Sequence, residues 1–230
     1  MIEGHLLELR HAEEQRRHWR RLIAQEVLGD PALLELVRLC GVREMTAFAL
    51  GAFVGDIQRF AQPKKLVAYV GLNPAFDDSG ESQWHGGVGG GHGHSYLRSL
   101  LVEGAQAILR CSQNPLAQWG RKLRARKGSL NLTVCAMARK LAVAAWYLMM
   151  GRWTTVEEID AGLSVKIGKI ITQAGPAPLQ ESGKTRKGFR QQLFQSLKTG
   201  RQYQLDPNKK FSPRPAPAAS LTPAQEYGLR

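Results

Sequence analysis

The sequence predicts a mainly α protein, and three observations carry that prediction. Apolar side chains recur at helical spacing, as in Leu97, Leu100, Leu101, Ala105 and Ile108, while period-two alternation is scarce. Helix stops and starts punctuate the chain, Gly29-Asp30-Pro31 supplying a stop, an N-cap and a first-turn proline in succession. Glycine and proline are concentrated in a central loop and in the last fifty-odd residues instead of being scattered through the periodic segments. The expected architecture is a helical domain with a helix-hairpin-helix-like start, a Gly-rich loop and a disordered basic tail.

Taken in order, residues 5–28 read as a helix whose apolar Leu6, Leu9, Leu22, Ile23 and Val27 flank a polar middle at Glu13, Glu14, Arg16 and Arg17. That pattern suits a coiled-coil-like connector better than a core helix. A short helix over 31–39 and a second over 44–53 meet at Leu39-Cys40-Gly41-Val42. Such a pair reads either as a helix-hairpin-helix, whose glycine turn offers backbone N–H groups to a phosphate, or as a hairpin that only packs. Arg43 stands where the usual hairpin carries a second glycine. Pro63 opens a helix that stops at Gly71-Leu72-Asn73-Pro74. Six glycines in residues 86–93 are expected to exclude regular structure. Helices over 95–111, 115–127 and 131–150 follow, and Thr154 with Glu157 signals the start of one more. From Gly175 the composition predicts disorder, with one helix near 187–197. The domain reading is a connector over 1–30, a helical domain over 31–153, a short helical extension over 154–174 and a basic tail over 175–230.

Charge narrows the function. The chain has 230 residues, 32 Lys+Arg against 19 Asp+Glu, and a formal net charge of +13. The surplus lies wholly beyond Asp78: residues 79–156 hold ten basic and two acidic side chains, and 157–230 hold twelve and six. A one-sided surplus is the footprint of a polyanion binder, since each phosphate contact releases counterions. Arg121, Lys122, Arg124, Arg126 and Lys127 put five cations in seven residues, next to Trp119, and Arg139-Lys140 adds two on the following helix. These, with Arg98 and the hairpin residues Gly41 and Arg43, are the candidate nucleic-acid contacts. Trp119, Trp146 and Trp153 are expected in the core or an interface, not as base platforms.

Other chemistries are set aside. The apolar run Leu141–Gly151 is too short to span a bilayer, and no leader precedes it. Cys40, Cys111 and Cys135 form no CxxC pair, which suits a reducing compartment, and a soluble, cytosolic, basic protein is expected. His85, His92, His94 and Cys111 match no zinc spacing, so no metal site is expected. Gly183-Lys184-Thr185 resembles the end of a P-loop, but Pro178 replaces its first glycine. Ser79, in a non-helical turn beside Asp77 and Asp78 and before Gly80, has the exposure a nucleophile needs. Locally, the same residues are simply a turn.

The order of the pieces says more. Leu39–Gly55, Arg59-Phe60 with Leu66-Val67-Ala68-Tyr69-Val70-Gly71-Leu72-Asn73-Pro74, Asp78-Ser79-Gly80, Tyr96-Leu97-Arg98-Ser99-Leu100-Leu101 and Ala138-Arg139-Lys140-Leu141-Ala142 form a series over residues 33–153. It resembles the carboxy-terminal domain of the one-ten family of bacterial insertion-sequence transposases, the bridge-RNA-guided DNA recombinases. The resemblance implies a helical domain that binds DNA and a guide RNA, works as a homo-oligomer on DNA, and places Ser79 at the family's nucleophile position. There the serine attacks a DNA phosphodiester. Two departures follow. The family's ribonuclease-H-like domain, whose four acidic residues hold Mg²⁺, has no room in this sequence, and no carboxylate lies between Glu103 and Glu157. The resemblance thus implies Mg²⁺ only through that domain, no cofactor held by this chain, and an isolated chain that is inactive. Gly91 also stands where the family's loop carries lysine. The alternative is a non-catalytic helix-hairpin-helix DNA- or RNA-binding protein. A further one is a structural protein whose tail binds RNA.

Overall fold

The computed structural model describes residues 2–79, 82–88, 93–152 and 160–199. Among them, ten α-helices and one two-stranded hairpin are arranged around a continuous apolar core. The helices are α1 (Ile2–Gly29), α2 (Pro31–Leu36), α3 (Glu44–Val54), α4 (Pro63–Val70), α5 (Ser95–Cys111), α6 (Pro115–Lys127), α7 (Leu130–Met149), α8 (Asp160–Ala174), α9 (Ala177–Ser182) and α10 (Arg186–Thr199). The strands β1 (Pro74–Ser79) and β2 (Ser82–Val88) lie between α4 and α5.

Local chemistry sets most boundaries. Asp30 caps α2 by accepting from Ala32 N at 2.8 Å, and Pro31 occupies the first turn, where its missing N–H costs nothing. Asn114 caps α6 through Ala117 N at 2.8 Å, and Ser129 caps α7 through Leu132 N at 3.3 Å. Gly71 and Gly128 end α4 and α6 in the left-handed conformation.

Helix α7 is the axis of the domain. Met137, Ala138, Leu141, Ala142, Ala145 and Trp146 are buried along it, against α4, α5 and α6. By length and composition α7 could cross a membrane, because the apolar stretch starts at Leu130, well before Leu141. Half of that stretch is buried inside the fold, and Arg139 and Lys140 are exposed in its middle. It serves here as a core helix. The indole N–H of Trp146 donates to Phe60 O at 2.8 Å, which satisfies the one polar atom a tryptophan brings into a core. Trp119 packs part-buried against the same core, and Trp153 lies outside the described residues.

Three expectations change. First, α1 is a connector only over its first two-thirds. Ala24, Val27 and Leu28 are core residues packed towards α2, α3 and α8, while Leu6, Leu7, Leu9 and Trp19 stay exposed. Secondly, the Gly-rich stretch is not wholly irregular. Gly86 and Gly87 belong to β2, where backbone pairing with β1 compensates for the missing side chains; residues 89–92 lie outside the described set. Thirdly, the chain beyond Gly175 is ordered through Thr199. Phe189, Leu193 and Leu197, one turn apart, bury the inner face of α10 against α8, which offsets the entropy that a Pro-, Gly- and Lys-rich composition would otherwise keep. Residues 200–230 and the Thr154–Glu157 capping signal lie outside the described residues.

The carboxy-terminal helices are tied to the rest by specific bonds. Lys166 on α8 donates to the carbonyls of Val37 and Leu39 at 2.9 and 2.7 Å, supplying cation donors where α2 ends. Gln25 on α1 donates to Ala174 O at 2.9 Å, closing the end of α8.

Candidate active-site hairpin and nucleic-acid interface

The hairpin that carries Ser79 leaves the helical body through a narrow neck. Gly71, at φ +78°, ends α4, and Gly93, at φ +85°, precedes α5. A Cβ on Gly93 would collide with the backbone of Gly71 and Val70, so only glycine lets the two legs approach this closely. His94 N donates to Tyr69 O at 2.8 Å and locks the neck. Beyond it the strands pair antiparallel, with Phe76 opposite His85, Asp77 opposite Trp84, Asp78 opposite Gln83 and Ser79 opposite Ser82. A register irregularity between Pro74 and Phe76 bends the first leg at its root. Ser79 therefore closes β1 at the far end of the hairpin from the neck, in extended backbone and not within a free turn.

The neck is ringed by aromatic side chains to which the sequence reading assigned no role. The Phe53 and His94 ring centroids lie 4.2 Å apart, Phe53 and Tyr96 6.1 Å, and Tyr69 and His94 6.1 Å. Tyr69 donates its hydroxyl to Phe53 O at 2.9 Å, and the Arg59 guanidinium lies 4.9 Å from the Tyr69 ring centroid. Their only sequence signal is aromatic residues just inside helix ends, at Phe53, Tyr69 and Tyr96, and it acquires meaning once the three ends meet.

The ten candidate nucleic-acid residues separate into two groups. Lys122, Arg124, Arg126 and Lys127 on α6, with Arg139 and Lys140 on α7, are exposed. Lys122 and Arg126 are one helical turn apart, as are Arg124 and Lys127. Lys140 Nζ lies 4.6 Å from the Trp119 ring centroid, which joins the cations of α7 to those of α6 on one surface. No carboxylate lies from 104 to 156, so neither α6 nor α7 carries a counter-charge of its own.

The other four are occupied structurally. Arg121 turns inward and donates to Leu109 O, Ser112 O and Gln113 Oε1 at 3.3, 3.0 and 2.9 Å, capping the end of α5. Arg98 reaches Val70 O and Gly71 O, both at 3.5 Å, at the end of α4. It also faces Cys135, whose thiol burial pushes up against the opposing pull of the guanidinium. Arg43 is exposed and paired with Glu44 at 3.3 Å. Gly41 turns between α2 and α3 at φ +78°, and a Cβ there would sit 2.7 Å from Gly104 O on α5. The glycine in that hairpin is thus needed for a close approach to α5.

A cavity of about 510 Å³ between α1, α2, α3 and α7 is rimmed by Glu26, Asp30 and Asp56, the wrong sign for a polyanion. No group of three or more His, Cys, Asp or Glu side chains able to hold a metal occurs among the described residues, so the magnesium implied by the resemblance finds no fit there. His92 lies outside the described residues, and of His85 only its place in β2 is described.

Comparison with known proteins finds similarity to transposases over part of the chain. Residues 35–119 match the transposase IS116/IS110/IS902 family, a segment running from α2 through the hairpin into α6. A probable family 20 transposase of Pseudomonas aeruginosa is 31% identical over 145 residues, covering 62% of this chain and 42% of that protein. The transposase for insertion sequence element IS1111A of Coxiella burnetii is 36% identical over 112 residues, 47% of this chain and 30% of the relative. That for IS1328 of Yersinia enterocolitica is 29% identical over 136 residues, 58% and 40% respectively. The chain spans less than half the length of each of these relatives.

Proposed function

We propose, from the match of residues 35–119 to the transposase IS116/IS110/IS902 family, that this chain is the DNA-handling part of an insertion-sequence recombinase, with Ser79 as its nucleophile. The observation that carries the reading is the position of Ser79 at the end of a hairpin pinned at its neck, inside the family-matched segment. A nucleophile held on an extended arm can reach a scissile phosphate while the exposed cations of α6 and α7 hold the flanking backbone. In the proposed step the Ser79 Oγ–P bond forms and the P–O bond to one deoxyribose breaks. The leaving oxygen takes up a proton, and the other DNA end stays linked to the protein. Residues 1–230 by themselves bind DNA without cutting it, the metal and its acidic ligands coming from outside this segment. The working unit is a homo-oligomer on cytoplasmic DNA, with a structured guide RNA as a further partner.

The test is covalent capture. The chain, supplemented with the acidic amino-terminal part of a matched relative and Mg²⁺, is incubated with end-labelled element DNA and resolved on a denaturing gel. A label-shifted band with the unaltered chain and none with Ser79→Ala, at equal DNA affinity, is the expected result. A band that persists in Ser79→Ala would sink the assignment of the nucleophile. Binding with no band in either protein favours the non-catalytic nucleic-acid-binding reading, which the independence of the α6–α7 cations from the hairpin also supports.

A further inference from the structure

The aromatic ring around the neck is built differently from a packing cluster. Phe53 and Tyr96 remain 41% and 46% exposed, although each touches other rings. Their planes stand 76° apart, which makes an open corner and not a closed stack. The backbone at Phe53 is held in place, because Phe53 O accepts from both Tyr69 Oη at 2.9 Å and Arg59 Nη2 at 3.5 Å. His94, tilted against Phe53, is fixed twice: its backbone N donates to Tyr69 O, and its Nδ1 accepts from Leu97 N at 3.3 Å. Exposed aromatic faces held in place in advance lose little entropy on stacking a planar ligand, and the adjacent Arg59 cation selects for an anionic one. A nucleobase beside its phosphate meets both requirements.

We propose that Phe53, His94 and Tyr96 form a stacking corner for one unpaired DNA base at the root of the Ser79 hairpin, with Arg59 on the adjoining phosphate. The inference rests on the DNA-binding reading above and adds a local demand: the DNA is unstacked where the hairpin enters it. Opening the duplex there costs a few kcal/mol, least at a bulge or mismatch, and the corner offsets that cost. It makes Phe53 and Tyr96 positioning residues for the hairpin.

The probe is a duplex with 2-aminopurine as a single-base bulge, compared with the same duplex fully paired. The full chain, Phe53→Leu, Tyr96→Leu and the double variant are each titrated at several salt concentrations. Leucine keeps apolar volume at the two half-exposed sites but removes the π face. The unaltered chain should prefer the bulge about tenfold and quench its fluorescence. The double variant should lose both effects while keeping its affinity for paired duplex and its salt slope. A wild-type chain without preference, or a preference that survives the double variant, overturns the corner and leaves DNA binding intact. Absence of salt-dependent binding to either duplex overturns the DNA reading and the corner together. Should the double variant melt at a lower temperature, Tyr96→Leu alone, on the exposed first turn of α5, decides in its place. Tighter Phe53/Tyr96-dependent binding to single-stranded RNA of the same sequence would reassign the corner away from DNA.

Discussion

Arg121 and Lys122 are neighbours in one run of cations, yet they do opposite things. Arg121 serves three acceptors at the end of α5 and is half-buried; Lys122 points to solvent. Sequence identifies cations but not their direction, because the acceptors of Arg121 exist only after α5 and α6 have packed. The same reason hid the roles of Arg98 at the end of α4 and of Gly41 against Gly104. The two arginine–lysine neighbours make a direct test. Arg121→Met should lower unfolding free energy by roughly 1–3 kcal/mol, from carbonyls left without a donor, with little change in the salt dependence of DNA binding. Lys122→Met should leave urea unfolding unchanged and reduce the slope of log K against log salt by about 1. Reversed behaviour of the pair would mean that the exposed face of α6 is not the interface.

Elements were legible wherever their apolar period was strong. The seven helices expected between residues 5 and 150 are all present, with ends moved by a few residues, because N-caps, prolines and apolar stripes agreed. The hairpin was missed since β1 and β2 carry a single β-branched residue, Val88, and no clean alternation, and two glycines sit in β2. Tertiary closure at Gly71 and Gly93 pairs these strands, and that closure has no local signature. The carboxy-terminal segment gives the opposite lesson. Phe189, Leu193 and Leu197 did mark a helix near 187–197, but composition argued for a tail, and burial against α8 outweighed composition. Phe189 is fully buried, so Phe189→Ala should cost about 3–5 kcal/mol at that contact. Hydrogen exchange should then show α10 losing protection while α7 keeps its own. Uniform loss across the fold would show that α10 is part of the central cooperative unit.

At the scale of the molecule, the decisive fact is which residues belong to the folded body. Truncation before Gly175 strips the cover from α8 and should lower the melting temperature sharply, as thermal denaturation followed by circular dichroism will report. Because of this, a test of tail-driven binding has to cut at 200. The shorter deletion should retain most DNA affinity if the α6–α7 surface is the interface, and nearly none if residues 200–230 hold the nucleic acid. The whole-molecule view also gives the glycine neck a different significance. With residues 71 and 93 in contact, the polypeptide between them is topologically an excursion: it departs and returns at one point, and the helical body has no stake in its length. Doubling such a closed excursion costs only about 0.6 kcal/mol. Reach and chemistry at the tip can therefore drift between descendants of one ancestor while the body that presents them stays constant, which makes the hairpin an interchangeable tool on a common handle.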